Sequence, residues 1–228
     1  MSRIVLTLLV IVSIGEPDVS GLTEVPASHS RGNTMAILYT GDGGWRATDR
    51  GLAKILADRG IPVVAVNTLH YFWTRRTPEG AANDFARILA HYLAAWKKEK
   101  AIVIGYSYGA DVLPFILNHL SQRIVSHVEL VALLAPTRVV DFKFHIGQWF
   151  FRYTPKKAKP VLPEVEKLKN LKVLAFCGDQ DSESLCRNLS PGIAKTVFLH
   201  GGHRFDKFYG VIAQDILNEV ESRQEPAH

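Results

Sequence analysis

Apolar and polar positions along the 228-residue chain fall into two alternating patterns. Short continuous apolar runs recur at Met35–Thr40 ("MAILYT"), Pro62–Asn67 ("PVVAVN"), Ala101–Gly105 ("AIVIG"), Val128–Ala135 ("VELVALLA"), Lys172–Gly178 ("KVLAFCG") and Thr196–His200 ("TVFLH"). Runs of this length, rich in β-branched residues, suit strands covered on both faces, where no solvent side demands alternation. Between them, residues 46–59, 79–98 and 206–223 carry apolar residues three and four apart with charges between, the pattern of amphipathic helices. A further helix is predicted from about Tyr108 to Leu120. Strand and helix alternating in this order predict an α/β fold: a mostly parallel sheet of about six strands with helices on both faces, joined by right-handed crossovers. Its ligand site should lie at the carboxyl ends of the strands.

The amino terminus departs from this alternation. "MSRIVLTLLVIVSIG" carries one positive charge at Arg3, an apolar run from Ile4 to Val12, and the small residues Ser13 and Gly15, the layout of a secretory signal. The run is shorter than the roughly 20 apolar residues that span a bilayer. The other reading of the segment is a first β-strand. Export divides the chain into a signal peptide over residues 1–20 and one domain over residues 21–228. It also bears on Cys177 and Cys186, the chain's two cysteines, which are expected to pair outside a reducing compartment and to remain thiols inside one.

Composition narrows the classes of function. With 47% apolar residues the chain can bury a core, and no repeat or low-complexity tract appears. The net charge of +5 is spread along the chain apart from Lys156, Lys157 and Lys159, so no nucleic-acid partner is expected, while attraction to an anionic membrane surface is compatible with it. The histidines are dispersed and the cysteines form no zinc-type pair, so neither metal nor cofactor is expected.

Candidate chemistry concentrates in "AIVIGYSYGADVLP", residues 101–114. Gly105-Tyr106-Ser107-Tyr108-Gly109 sits where a predicted strand ends and a helix begins, the setting of a G-x-S-x-G nucleophile elbow. Glycines two residues either side permit a sharp turn that lifts the Ser107 hydroxyl from the sheet, and the helix amino terminus favours developing negative charge. A serine hydroxyl needs a base to take its proton and a carboxylate to orient that base, in the chain order Ser, acid, His. His203, in the glycine-containing turn after the last predicted strand, is the candidate base. Asp181, three residues past Gly178, and Asp179, nearer the strand end, are both candidates for the acid. The loop Thr40-Gly41-Asp42-Gly43-Gly44-Trp45 is the candidate second half of an oxyanion hole, with donors at the Tyr108 N–H and at the Asp42 or Gly43 N–H. It lacks the lysine of a phosphate loop and the spacing of a dinucleotide fingerprint.

Five blocks together carry a resemblance: "GDGGW" (Gly41 to Trp45), "YFWTRRTPE" (Tyr71 to Glu79), "GYSYGADVLPF" (Gly105 to Phe115), the Cys177 to Cys186 segment, and "GGHRFD" (Gly201 to Asp206). From about Gly21 onward the chain resembles the bacterial virulence protein VirJ/AcvB family. The resemblance implies an α/β-hydrolase fold, export to the periplasm, and a serine hydrolase that removes lysine from lysyl-phosphatidylglycerol; with the basic, aromatic segment from Asp141 to Pro163, a peripheral place on the inner membrane is expected as well. It also implies an association with virulence and type IV secretion, and hence secretion-system proteins as partners. Ser107 matches the family nucleophile, His203 its histidine and Asp181 its acid. Tyr108 stands where phenylalanine is usual, Arg204 where a second histidine is expected, and Lys207-Phe208 replace a small and acidic pair, departures that touch substrate preference more than catalysis.

A lysyl ester brings two ammonium groups near the scissile carbonyl, so an acidic neighbour is expected, and Asp42 and Asp111 are the candidates. Asp111 also fits a scaffold carboxylate bonded to nearby backbone. Arg75 and Arg76 are candidates for the lipid phosphate. The segment from Asp141 to Pro163, with Phe142, Phe144, Trp149, Phe150, Phe151, Arg152 and the three lysines, is expected to form a cap near the site that touches the membrane; the other reading is an ordinary buried cap helix and a solvated loop. Two further functions compete with the lipid hydrolase: a non-enzymatic periplasmic accessory protein of a secretion system, and a general esterase or thioesterase.

Overall fold

The computed structural model describes residues 19–144, 157–205 and 207–221. The expected signal peptide, apart from its last residues, and the central part of the expected cap lie outside them. The chain opens with β1 (Leu22–Val25), β2 (Thr34–Tyr39), α1 (Ala47–Asp58), β3 (Val63–Val66), the short α2 (Thr68–Tyr71) and α3 (Pro78–Ala95). There follow β4 (Lys100–Tyr106), α4 (Tyr108–Asn118), the short α5 (Gln122–Val125), β5 (Val128–Leu134), β6 (Val139–Val140), β7 (Lys159–Pro160) and α6 (Leu162–Glu166). The last elements are β8 (Val173–Gly178), β9 (Lys195–Leu199) and α7 (Tyr209–Glu221).

Seven strands form the main sheet in the order β1-β3-β2-β4-β5-β8-β9, and β6 and β7 make a separate antiparallel pair. Every neighbour in the main sheet is parallel except β1, which runs antiparallel to β3 at the edge. The sequence pattern predicts about six strands, and β1 is the addition. Its four residues are half-buried or exposed, so they carry no apolar run to announce them.

Why the central strands read as continuous apolar runs is visible in β2. Met35, Ile37 and Tyr39 join one core with α3 and α4 residues such as Phe85, Ile88 and Leu113, while Ala36 and Leu38 join the opposite core with Leu52 and Leu56 of α1 and Ile212 and Ile216 of α7. Successive side chains point to opposite faces, and here both faces are dry. Helix α3 starts with Thr77 accepting the Gly80 N–H through its hydroxyl and with proline in its first turn, two cues that fix the helix start. The parallel arrangement brings the carboxyl ends of β2, β4, β5, β8 and β9 to one rim, and the loops that leave that rim build the site described next.

Candidate active site

At the end of β4 the backbone turns sharply into α4. Ser107 occupies the turn with φ 50° and ψ −115°, a left-handed conformation that a side-chain-bearing residue adopts only when its surroundings hold it there. The Ser107 N–H donates to Leu134 O at 2.8 Å, tying the turn to the end of β5. Both flanking glycines are sterically required. A Cβ on Gly109 would lie 2.2 Å from Tyr39 O, and one on Gly105 would lie 2.6 Å from Ala110 N.

The Ser107 hydroxyl donates to His203 Nε2 at 2.7 Å, and His203 Nδ1–H donates to Asp181 Oδ2 at 2.8 Å. Two loops meet to make this relay. Gly178, the last residue of β8, sits so close to the loop after β9 that a Cβ there would be 2.1 Å from Gly202 O. The Gln180 N–H donates to Gly201 O and the Asp179 N–H to Leu199 O, at 2.9 and 2.8 Å. Past His203, the fully buried Phe205 anchors the loop, and the Tyr106 ring lies against both His203 and Phe205.

The two candidate acids take different places. Asp181 is buried, and its second oxygen accepts the Glu183 N–H at 3.0 Å. Asp179 is exposed and braces the other loop, accepting from Gly201 N–H at 2.9 Å and contacting His200 Nδ1 at 3.2 Å. The Gly201 hydrogen bond, followed by His200, holds the Asp179 carboxyl below the usual carboxylate range. The cysteines close the first of these loops: Cys177 in β8 is bonded to Cys186, on the far side of the turn that carries Asp181.

A cavity of about 310 Å³ opens over Ser107 and His203. Tyr108 and Asp42 line it, which puts the first residue of α4 and the loop after β2 on the same space as the serine. Gly43 does not line it; its carbonyl instead accepts from Arg46 Nε at 2.7 Å. The rest of the lining joins Thr137, Val139 and Val140 to a group of carboxylates. Asp111, Asp141, Asp181 and Glu183 join Asp42, and no lysine or arginine lines the cavity among the described residues.

Most of these carboxylates already have work. Asp111 accepts the Thr137 N–H at 2.6 Å and the Thr137 hydroxyl at 2.7 Å. Burial pushes its pKa up to about 7, and the neighbouring Asp42 and Asp181 add to the rise while the Thr137 hydrogen bonds oppose it. The structure therefore gives Asp111 a bracing contact between α4 and the segment after β5. Asp141 is gripped by both terminal guanidinium nitrogens of Arg75, at 2.5 and 2.8 Å. Arg75 is thus occupied by a wall carboxylate, and Arg76 sits over the Tyr71 ring at 4.8 Å. Neither of these two candidates for the lipid phosphate lines the cavity. Asp141 and Glu183 were not legible as site residues, because each enters through a loop whose course depends on distant contacts.

The expected cap is also revised where it is described. Phe142 is buried against Phe72 and Phe115, with ring centroids 5.7 and 5.4 Å apart, so it belongs to the core. Trp149, Phe150, Phe151, Arg152 and Lys156 lie outside the described residues.

A strand-to-helix elbow presenting a serine, joined to a histidine and a buried aspartate from the ends of two later strands, is the arrangement of α/β hydrolases, and the fold is of that class. Among solved structures, the chain resembles Est1E from Butyrivibrio proteoclasticus with ferulic acid bound (TM-score 0.64, 13% identity, covering 92% of this chain and 99% of that one). It also resembles a proline iminopeptidase from Mycobacterium smegmatis (0.58, 12%, 89% and 95%) and XC6422 from Xanthomonas campestris, described as an α/β serine hydrolase without a lid (0.54, 16%, 91% and 90%). A comparison with curated protein sequences gave no significant match. Residues 33–224 match the family described as bacterial virulence protein (VirJ), and the chain belongs to that family.

Proposed function

We propose that the protein is a serine hydrolase that cleaves a carboxylic ester, with Ser107 as nucleophile, His203 as general base and acid, and Asp181 as the carboxylate that orients the imidazole. The single observation behind this reading is the unbroken relay of 2.7 and 2.8 Å hydrogen bonds opening onto a cavity. Ser107 Oγ attacks the ester carbonyl as its proton passes to His203 Nε2, and the resulting imidazolium is stabilised by Asp181. The Tyr108 N–H, at the start of α4, and the Asp42 N–H are the donors assigned to the oxyanion. Collapse of the tetrahedral species breaks the bond to the alcohol oxygen, which leaves with the proton from His203. Water, deprotonated by His203, then hydrolyses the acyl-serine and restores the free hydroxyl.

For the substrate we infer an aminoacyl ester carrying ammonium groups, the lysyl ester of lysyl-phosphatidylglycerol, met in the periplasm. The acidic lining supports a cationic acyl group, because a carboxylate facing an ammonium in a partly dry cavity is stabilising where an apolar acyl chain would leave it unpaired. Asp42, half-buried in the loop after β2 that also supplies the oxyanion donor, and Glu183, exposed beside Asp181, are the lining carboxylates we assign to it.

The test has two stages. Labelling with a fluorophosphonate should be lost in Ser107→Ala while the circular dichroism spectrum is kept; a labelled or fully active Ser107→Ala would remove the mechanism. Hydrolysis of lysyl-, alanyl- and unmodified phosphatidylglycerol should then favour the lysyl ester, with Asp42→Asn losing that preference. An active wild type that ignores the lysyl lipid would leave a general esterase.

A further inference from the structure

Trp73 is 56% exposed, the most exposed large apolar side chain among the described residues, and the hydrolytic reading makes no use of it. It is not a loose side chain. Its indole stacks on the Phe144 ring at 6.0 Å and 19°. The segments that carry the two rings are joined by backbone hydrogen bonds, Phe144 N–H to Phe72 O at 2.8 Å and Arg76 N–H to Phe142 O at 2.9 Å, and by the Arg75–Asp141 fork. Residues 72–76 and 141–144 therefore make one platform, and its inner end, Asp141, is part of the cavity wall. Val139, on the same run of chain, is 42% exposed and lines the cavity too.

Three exposed lysines lie on the segments that form or adjoin this apolar rim. Lys143 is exposed between Phe142 and Phe144, and Lys159, also exposed, pairs with Val140 across the β6–β7 hairpin, with its ammonium 6.0 Å from the Phe115 ring. Lys157 is exposed two residues earlier. The nearby acid, Glu79, is matched by His119 Nε2 at 3.2 Å and by the charge of Lys159. The sign of the charge thus reverses from the carboxylates of the cavity to the ammoniums of its rim. A protruding indole backed by a half-buried ring and flanked by lysines suits the headgroup level of an anionic bilayer, where indole sits at the polar–apolar boundary and ammoniums meet phosphates. An acidic protein would satisfy the lysines but would meet the acidic cavity beside them and gain little from an isolated projecting indole.

We propose that the platform led by Trp73 and Phe144 docks on an anionic lipid bilayer and sets the cavity mouth at headgroup level. This extends the lipid-ester reading, and the two can fail separately. The experiment is flotation of the purified protein with vesicles of phosphatidylcholine alone or mixed with phosphatidylglycerol, alongside hydrolysis of a soluble short-chain ester. Wild type should float with the anionic vesicles and less so at high salt. Trp73→Ala, and a combined Lys143→Gln, Lys157→Gln, Lys159→Gln variant, should each weaken vesicle binding on the order of tenfold while soluble-ester hydrolysis is unchanged. Wild type that ignores anionic vesicles, or variants that float as wild type does, would overturn the docking surface, as would tight binding of a polyglutamate peptide in place of vesicles. Vesicle binding without lysyl-lipid turnover would keep the surface and remove the substrate; turnover of detergent-dispersed lysyl lipid without vesicle binding would do the reverse.

Discussion

Tyr108 Oη donates a 2.6 Å hydrogen bond to the backbone carbonyl of Asp141, joining the residue after Ser107 to the cavity wall held by Arg75. The phenol is buried edge-on against Phe72, and burial together with the Asp141 charge pushes its pKa up, so it is a neutral donor. Tyr108→Phe keeps the ring and the backbone N–H but leaves the Asp141 carbonyl without this partner. It should lower stability by about 1–2 kcal/mol in urea unfolding and change kcat little. A collapse of kcat at unchanged stability would give the hydroxyl a direct part in the reaction.

Asp181 and Asp179 differ in what they face, so their replacements should differ in kind. Asp181→Asn presents an amide to His203 Nδ1 and favours the wrong tautomer, with a loss in kcat on the order of 10⁴-fold and a near-native fold. Asp179→Asn can still accept the Gly201 N–H, so its effect on kcat should be small. Steady-state kinetics on a soluble ester decide this, and the opposite ranking would move the acid to Asp179.

Both outcomes bear on what the sequence could reveal. The five inner strands are legible because dryness on both faces produces unbroken apolar runs, and the edge strand Lys195–Leu199 carries a short run although it is only partly buried, whereas the half-exposed edge strand Leu22–Val25 leaves no such mark. Ser107 and His203 can be picked from motif and chain order. The acid is read as Asp181 from its offset past Gly178 and from the family resemblance, but Asp179 lies two residues away in the same loop, and which carboxylate turns toward the imidazole depends on how that loop packs against the one after β9, where Gly178 closely approaches Gly202. The cavity lining is harder still. Arg75 looks available for a phosphate until its partner 66 residues away is known, and Glu183 enters the site only through the turn whose N–H caps Asp181.

The Cys177–Cys186 bond spans nine positions and encloses Asp181, with both cysteines buried. Closing a loop of this size restricts the unfolded chain, so a Cys177→Ala, Cys186→Ala variant should lose about 2–3 kcal/mol of stability in guanidinium unfolding. Because the same turn holds the carboxylate, kcat should fall as well. Iodoacetamide should modify neither cysteine of the native oxidised protein and both after reduction and unfolding. Alkylation of the unreduced protein, or a double variant as stable as wild type, would remove the role given to the bond.

Two buried carboxylates contribute a component of stability that falls as pH rises. Burial pushes Asp111 up to about 7 and Asp49, whose Oδ2 accepts the Arg46 N–H at 3.0 Å, up to about 6, from an ordinary 3.8. Between 3.8 and those values the folded chain holds protons that the unfolded chain has released, so the slope of unfolding free energy against pH is negative there: these two groups make the protein less stable as pH rises from about 4 toward 7. Asp111→Asn should flatten the upper part of that slope and Asp49→Asn the lower part, in urea titrations across the range. The same linkage reaches the site, because Asp42 and Asp181 help to raise Asp111. A cation bound among these carboxylates lowers the proton affinity of Asp111, so 1,5-diaminopentane, whose two ammoniums stay charged across the range, should bind Ser107→Ala more tightly at pH 8 than at pH 6, with proton release on binding near pH 7 that Asp111→Asn abolishes. Calorimetry in buffers of different ionisation enthalpy measures that proton directly, and an uptake, or a release unchanged in Asp111→Asn, would detach Asp111 from the cation.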